Sequence, residues 1–235
     1  MTTVDELSLP STFLERTPRT RAERILDHGI TVDLTWWNAR LAERGLPGGP
    51  VTGLPAGSAD DQRTTSGRAV LTRGDLFALA GDDTPEGTLR LLWHTLAWGS
   101  GLSGRNNLRR LDSVRADIDG SARLLRRAAT LAGEHPAAGY ALLLPGDRRA
   151  AIAHLGSAFF TKFLYFAGGG AATHQALILD SVVAGALRGH GWSALGTVGS
   201  WPAVTYGRYC ALLGRWATAA DVHPDEIEHW LFRGR

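Results

Sequence analysis

The sequence predicts an all-α fold, and its 235 residues are enough for one compact domain or two small helical lobes. Apolar residues recur at helical spacing along most of the 235 residues, a pattern typical of helices with one buried face. No segment shows a convincing alternation of apolar and polar residues, so we predict no β-strands. The hydrophobic share of 44% is ordinary for a protein with a buried core.

The order of helices and loops follows from local signals. Apolar periodicity marks helices, clusters of Gly, Pro, Ser and Asp mark loops, and proline favours the first helical turn. In the first half, these signals predict helical structure over 1–46, an exposed loop over 46–68, helix starts at Gly74-Asp75 and Thr84-Pro85-Glu86, and a helix end near Gly99-Ser100-Gly101. In the second half, they predict helices over about 108–131, near 136–144 and 147–154, over 157–167 and 180–188, and two between Pro202 and Phe232 that separate at His223-Pro224.

These elements suggest a division of the chain at residue 70. Residues 1–70 are predicted to form a helical extension that ends in the Gly/Pro-rich loop. Residues 71–235 are predicted to form the helical body. Within this body, region 147–188 is the expected catalytic region because it contains the residues with the clearest chemical signal.

The composition excludes several classes of protein and site. A single cysteine, Cys210, cannot close an internal disulfide or hold an iron–sulfur cluster, and the histidines lack metal-ligand spacing. The acidic N-terminus lacks the order of a signal peptide, and no apolar run reaches membrane-spanning length. We therefore expect a cytoplasmic protein without metal or cofactor. We also expect the protein to be a monomer.

The distribution of basic residues singles out one position. Lysine and arginine total 25, and Lys162 is the only lysine. Arginine cannot serve as an amine nucleophile, because its pKa stays above about 12. Lys162 lies in the most aromatic octet of the chain, residues 159–166, where loss of solvation favours a neutral amine. Lys162 is therefore our candidate nucleophile.

Asp180 is the candidate carboxylate partner of Lys162. It follows three apolar residues and precedes a helix, which is the placement of a helix N-cap. An amine and a carboxylate in an apolar cleft suit Schiff-base chemistry at a sugar C1′. Two structural interpretations remain open: Lys162 extends its amine to water from an apolar surface, and Asp180 only caps its helix.

Residues 155–187, LGSAFFTKFLYFAGGGAATHQALILDSVVAGAL, resemble the helix-hairpin-helix DNA glycosylase superfamily. The shared pattern is a turn, a helix with an internal lysine, a glycine-bearing link, and an aspartate that opens the next helix. The resemblance is strongest to 8-oxoguanine DNA glycosylases and their bacterial and archaeal relatives. It implies that Lys162 attacks C1′ of an extruded nucleotide with help from Asp180, and that the fold is a two-lobed glycosylase-like helical domain.

A glycosylase must hold the extruded base and bind the DNA around it. Aromatic residues are the candidates for stacking on the base, and Arg and Asn residues near the site are the candidates for DNA contact. The base-binding candidates are Phe166, Trp230, Trp98 and Trp93. The DNA-binding candidates are Arg105, Asn106, Arg109, Arg110 and Arg188. A solvated helix face with internal ion pairs is the alternative interpretation of the Arg-rich stretch.

The resemblance implies a bifunctional DNA glycosylase with AP-lyase activity. Its partner is double-stranded DNA with a damaged or modified base, most directly 8-oxoguanine in base excision repair. Excision of modified phage bases in antiviral defence uses the same chemistry and stays open. A catalytically silent DNA-binding module and a Schiff-base enzyme for a small carbonyl compound are the alternatives from other classes.

Overall fold

A computed structural model describes residues 4–15, 20–57, 62–147, 149–197 and 199–234. Most of these residues are helical, which confirms the predicted helical fold class. The α-helices are α1 (Ser11–Leu14), α2 (Leu34–Glu43), α3 (Arg73–Phe77), α4 (Pro85–Ser100), α5 (Asn107–Arg115), α6 (Ile118–Glu134), α7 (Pro136–Leu143), α8 (Ser157–Phe166), α9 (Ser181–Gly189), α10 (Ala203–Ala220) and α11 (Pro224–Arg233). A π-helical turn covers Ala22–Leu26, and 3₁₀ turns cover Val4–Glu6 and Pro145–Asp147.

Several helices begin at the residues that the sequence indicated. Thr84 caps α4 by accepting from the backbone N–H of Gly87, and Pro85 occupies the first turn. The predicted helix over 108–131 is instead two helices, α5 and α6. The break occurs because Asp117 accepts from the Gly120 N–H and starts α6 anew.

The expectation of no β-strands was wrong. A three-stranded antiparallel sheet contains β1 (Gly29–Asp33), β2 (Leu54–Pro55) and β3 (Arg68–Thr72) in the order β1-β3-β2. The predicted helix over 1–46 is therefore interrupted by a strand, and the predicted loop over 46–68 contains another. Residues 58–61 of that loop lie outside the described part of the chain. The strands are so short that their alternation covers few residues, whereas the apolar residues around them fit a helical period.

The predicted helix near 147–154 was also wrong. Pro145–Asp147 form a 3₁₀ turn, and the described residues 149–156 form no helix before α8. His154 has a φ of 62°, in the left-handed region that a helix does not use. Residue 148 lies outside the described chain.

One contiguous apolar core joins the helices to the sheet. Helix α8 is central to it: Phe160, Phe163, Leu164 and Phe166 are all fully or almost fully buried. Helix α4 packs against both α8 and β1, and so brings the sheet next to α8. The division at residue 70 stays a prediction, and β3 crosses that position. In the described ranges, no helix combines the length and the apolar character that a bilayer crossing requires.

Candidate active site

Helix α8 carries Lys162 on a largely buried face. The helix begins after Gly156, and its apolar side chains fix it in the core. The Lys162 side chain is 10% exposed, and its Nζ donates to the carbonyl oxygen of Ala158 at 3.0 Å, one helical turn earlier. The amine is therefore held near the helix, at the border of the core.

An extended segment places Asp180 opposite Lys162. Residues 175–180 lie between α8 and α9 without regular structure, so their backbone groups need other partners. Thr161 Oγ1 accepts from the Leu179 N–H at 3.2 Å, and Tyr209 Oη donates to the Ile178 carbonyl at 2.6 Å. Since Thr161 precedes Lys162 in α8, this bond fixes the segment against the helix that carries the amine.

Asp180 has two structural roles, one for each carboxylate oxygen. Its Oδ1 accepts from the N–H groups of Val182 and Val183 and caps α9, while Oδ2 accepts from Lys162 Nζ at 3.0 Å. Burial alone would raise the pKa of Asp180, but Lys162 and the backbone donors outweigh burial and lower it. The carboxylate is therefore ionised beside the amine.

A cavity of about 110 Å³ opens beside this ion pair. Its walls come from β1 and the residue before it, from α3, α4 and α11, and from the extended segment. Besides the ion pair, it is lined by His28, Ile30, Arg73, Trp98, Gly99, Ile178, Glu228 and Phe232. Lys162 and Asp180 thus share one partly apolar cleft.

A second ion pair forms part of the same wall. Arg73 donates to Glu228 at 2.7 Å and to Tyr165 Oη at 3.1 Å, and both charged side chains are 1% exposed. Burial raises the pKa of Glu228, and Arg73 offsets only part of this effect. Tyr165 in turn donates to Asp225 at 3.0 Å, which extends the network away from the cavity.

The four aromatic candidates for base binding differ in their position relative to the cavity. Trp98 lines the cavity, and Phe166 contacts Trp98 edge-to-face at 5.2 Å, behind the cavity wall. Trp230 lies in a larger adjacent cavity of about 590 Å³, which shares His28 with the first. Trp93 is fully buried, and its indole N–H donates to the Pro47 carbonyl at 2.8 Å. Trp98 alone of the four is placed beside the Lys162–Asp180 pair.

The DNA-binding candidates also differ in placement. Arg105, Asn106 and Arg109 are exposed, and Asn106 has a left-handed φ of 62°. Arg110 turns inward, 3.7 Å from the Phe159 ring centroid, and donates to Asn107; burial lowers its pKa to about 10. Arg188 donates to the carbonyl oxygens of Ser193 and Leu195. The exposed arginines are accessible to a phosphate, whereas Arg110 belongs to the internal scaffold.

Sequence reasoning missed the three other polar side chains that line the cavity, those of His28, Arg73 and Glu228. Arg73 is one arginine among many, and Glu228 lies in a short charged run, so neither has a distinctive local pattern. His28 immediately precedes the strand that was not predicted. Among the described residues, no group of three or more His, Cys, Asp or Glu side chains is placed to hold a metal ion.

A protein-family model matches residues 23–232, almost the whole chain. The family is described as "Putative 8-oxoguanine DNA glycosylase OGG-like protein". The chain belongs to this family. The membership supports a DNA glycosylase-like function with DNA as the substrate, and the match includes both Lys162 and Asp180. No curated protein and no solved structure matches the chain.

Proposed function

We propose that this member of the OGG-like family is a bifunctional DNA glycosylase that uses Lys162 as its nucleophile. The observation that carries the proposal is the 3.0 Å approach of Lys162 Nζ to Asp180 Oδ2 at the edge of a cavity. If Lys162 only extended to water and Asp180 only capped its helix, the two side chains would have no reason to be in contact. Here they form a mostly buried pair, the arrangement that an amine nucleophile and its proton acceptor need.

The first step is a proton transfer within the pair. Asp180 Oδ2 takes a proton from the Lys162 ammonium, which leaves a neutral amine and a neutral carboxylic acid. The amine nitrogen then forms a bond to C1′ of an extruded nucleotide, and the bond from C1′ to the base breaks. The electron pair leaves with the base, which takes the proton from Asp180, so the carboxylate is restored.

The lyase step follows from the same amine. The nitrogen attached to C1′ loses a proton, its lone pair opens the bond from C1′ to O4′, and O4′ gains a proton. The product is a protonated Schiff base. Loss of a C2′ proton then allows the C3′–O3′ bond to break, and the 3′ phosphate leaves. AP-lyase activity therefore accompanies base release.

The proposed substrate is double-stranded DNA with 8-oxoguanine, as the family description and the sequence resemblance suggest. The exposed Arg105 and Arg109 supply positive charge for phosphate contacts. The helix-hairpin-helix assignment of region 147–188 and a monomeric, cytoplasmic protein belong to the same proposal.

Borohydride trapping tests the proposal directly. Wild-type protein is incubated with duplexes that contain 8-oxoguanine or an abasic site, reduced, and resolved on a denaturing gel. A covalent band is expected, together with the cleaved strand that β-elimination produces without reductant.

The informative variant is Lys162→Arg, with Lys162→Gln beside it. Arginine keeps a cation beside Asp180 but cannot supply a neutral amine near neutral pH, so no band is expected from a protein that remains folded. Circular dichroism establishes that each variant is folded. Trapping of the arginine variant at the wild-type rate would exclude Lys162 as the nucleophile.

A further inference from the structure

The cavity beside Lys162 contains polar atoms that folding leaves without partners. Among the described residues, five buried side-chain atoms lack a hydrogen bond, and three of them belong to residues that line this cavity: His28 Nδ1, Arg73 Nε and Trp98 Nε1. Their residues are 8%, 1% and 5% exposed. A buried polar atom without a partner is costly, so three on residues that line one small cavity point to a ligand that pairs with them.

Two of the three atoms are donors under all conditions. An arginine Nε and an indole Nε1 each carry a hydrogen and have no acceptor capacity. The His28 pKa is lowered to about 3, first by burial and then by Arg73, so the ring is neutral at pH 7. Neutral His28 supplies a donor or an acceptor at Nδ1, depending on its tautomer.

The carboxylate oxygens of the same wall that face Arg73 and Lys162 are already engaged. Both Glu228 oxygens accept from Arg73, and Asp180 Oδ2 accepts from Lys162. The same bonds fix the orientation of Arg73, because its two terminal nitrogens are held by Glu228 and Tyr165 while Nε stays unpaired. The cavity therefore presents a fixed excess of donors.

We infer that Arg73 and Trp98 read an acceptor edge of the extruded base, so that the site selects a base with a carbonyl group over its counterpart with an exocyclic amine at the same ring position. The inference rests on the proposed glycosylase function and adds a specificity rule to it. A carbonyl oxygen accepts from both fixed donors, whereas an exocyclic amine at the same place would bring hydrogens towards hydrogens. A base of the wrong type leaves buried donors unpaired, which is the strongest basis for discrimination between similar substrates.

Paired bases test the rule. Single-turnover base release is measured on duplexes that differ at one position. The two pairs are hypoxanthine against adenine and uracil against cytosine, and a duplex with 8-oxoguanine, the proposed substrate, is measured beside them. We expect at least one carbonyl base to be released, and each carbonyl base to react about 10-fold or more faster than its amino counterpart.

The matched variants are Trp98→Phe and Trp216→Phe. Both remove a buried indole N–H, but that of Trp216 donates to the Leu7 carbonyl at 2.9 Å, outside the cavity. Trp98→Phe is expected to lower the ratio of carbonyl-base release to abasic-site trapping about 10- to 100-fold, because an abasic site has no base edge to read. The ratio for Trp216→Phe should equal that of the wild type.

Three results would overturn the inference: release of an amino base as fast as or faster than its carbonyl counterpart, an unchanged ratio for Trp98→Phe, or abasic-site trapping without release of any carbonyl base. Failure of the proposed function looks different, since the wild-type protein would then form no covalent band even with the abasic duplex. That result would remove the basis of the specificity rule as well.

Discussion

Replacement of Asp180 by asparagine separates the two roles of this residue. Asp180 Oδ1 caps α9 through Val182 and Val183, while Oδ2 faces Lys162 at 3.0 Å. Asparagine caps helices about as well as aspartate. Its amide has one oxygen, so with the cap retained the NH₂ group faces the ammonium and accepts no proton.

The expected cost to stability is moderate and the cost to chemistry is large. The Lys162–Asp180 side chains are 10% and 13% exposed, so loss of the acceptor leaves a buried ammonium with poorer hydrogen bonding, about 1–3 kcal/mol. Loss of the proton acceptor should slow base release and abasic-site trapping about 10²- to 10⁴-fold. DNA affinity should stay near the wild-type value, since Asp180 does not supply phosphate contacts.

The assay is single-turnover borohydride trapping on an abasic duplex, with DNA affinity measured by fluorescence anisotropy. Asp117→Asn is the matched control, because Asp117 also caps a helix through a backbone N–H, that of Gly120 at 2.9 Å, without a lysine partner. Trapping by Asp180→Asn within about threefold of wild type would refute the proposed proton transfer. An equal loss in Asp117→Asn would assign the effect to helix capping.

Three further predictions concern positioning, pH and DNA contact. Thr161→Val removes the bond to the buried Leu179 N–H, so urea unfolding should show a loss of about 1–3 kcal/mol, and trapping should slow because Asp180 is no longer fixed. Burial lowers the pKa of His94 to about 4, so the unfolded chain binds a proton at this residue between about pH 6.5 and 4 while the folded protein does not. The free energy of unfolding should therefore fall as pH falls through this range. In urea unfolding, His94→Gln should reduce this pH dependence by up to about 1.4 kcal/mol per pH unit. Arg105→Gln and Arg109→Gln should each reduce the salt dependence of DNA affinity by about one counterion, without changing trapping at saturating DNA.

The Lys162–Asp180 pair was predictable because its signals are local. A lone lysine among arginines is visible in the composition, and Asp180 precedes a helix in the sequence itself. Their proximity in space, in contrast, depends on Thr161, Tyr206 and Tyr209, which hold the segment before α9 by side-chain hydrogen bonds. No periodic pattern encodes such bonds.

The remaining cavity residues were not predictable for a different reason. Arg73 and Glu228 are 155 positions apart and become partners only when α3 and α11 approach each other in the fold. Among the aromatic candidates, Trp93 and Trp98 lie on the same helix, yet one is in the core and the other lines the cavity. Apolar character predicts burial for both and does not distinguish a core position from a pocket wall.

The two ion pairs around the cavity differ in their ability to exchange a proton. Arginine keeps its proton at all accessible pH values, so Arg73 remains charged and presents fixed donors. Lysine is the cation that can give up a proton, and Asp180 contacts Lys162 while Glu228 holds Arg73. If the lysine and the arginine were exchanged, the amine nucleophile would lie beside Glu228, and an unreactive guanidinium would lie beside Asp180, which caps α9. This difference in the basic residue supports the proposed proton transfer at Lys162–Asp180 and the proposed base reading by Arg73.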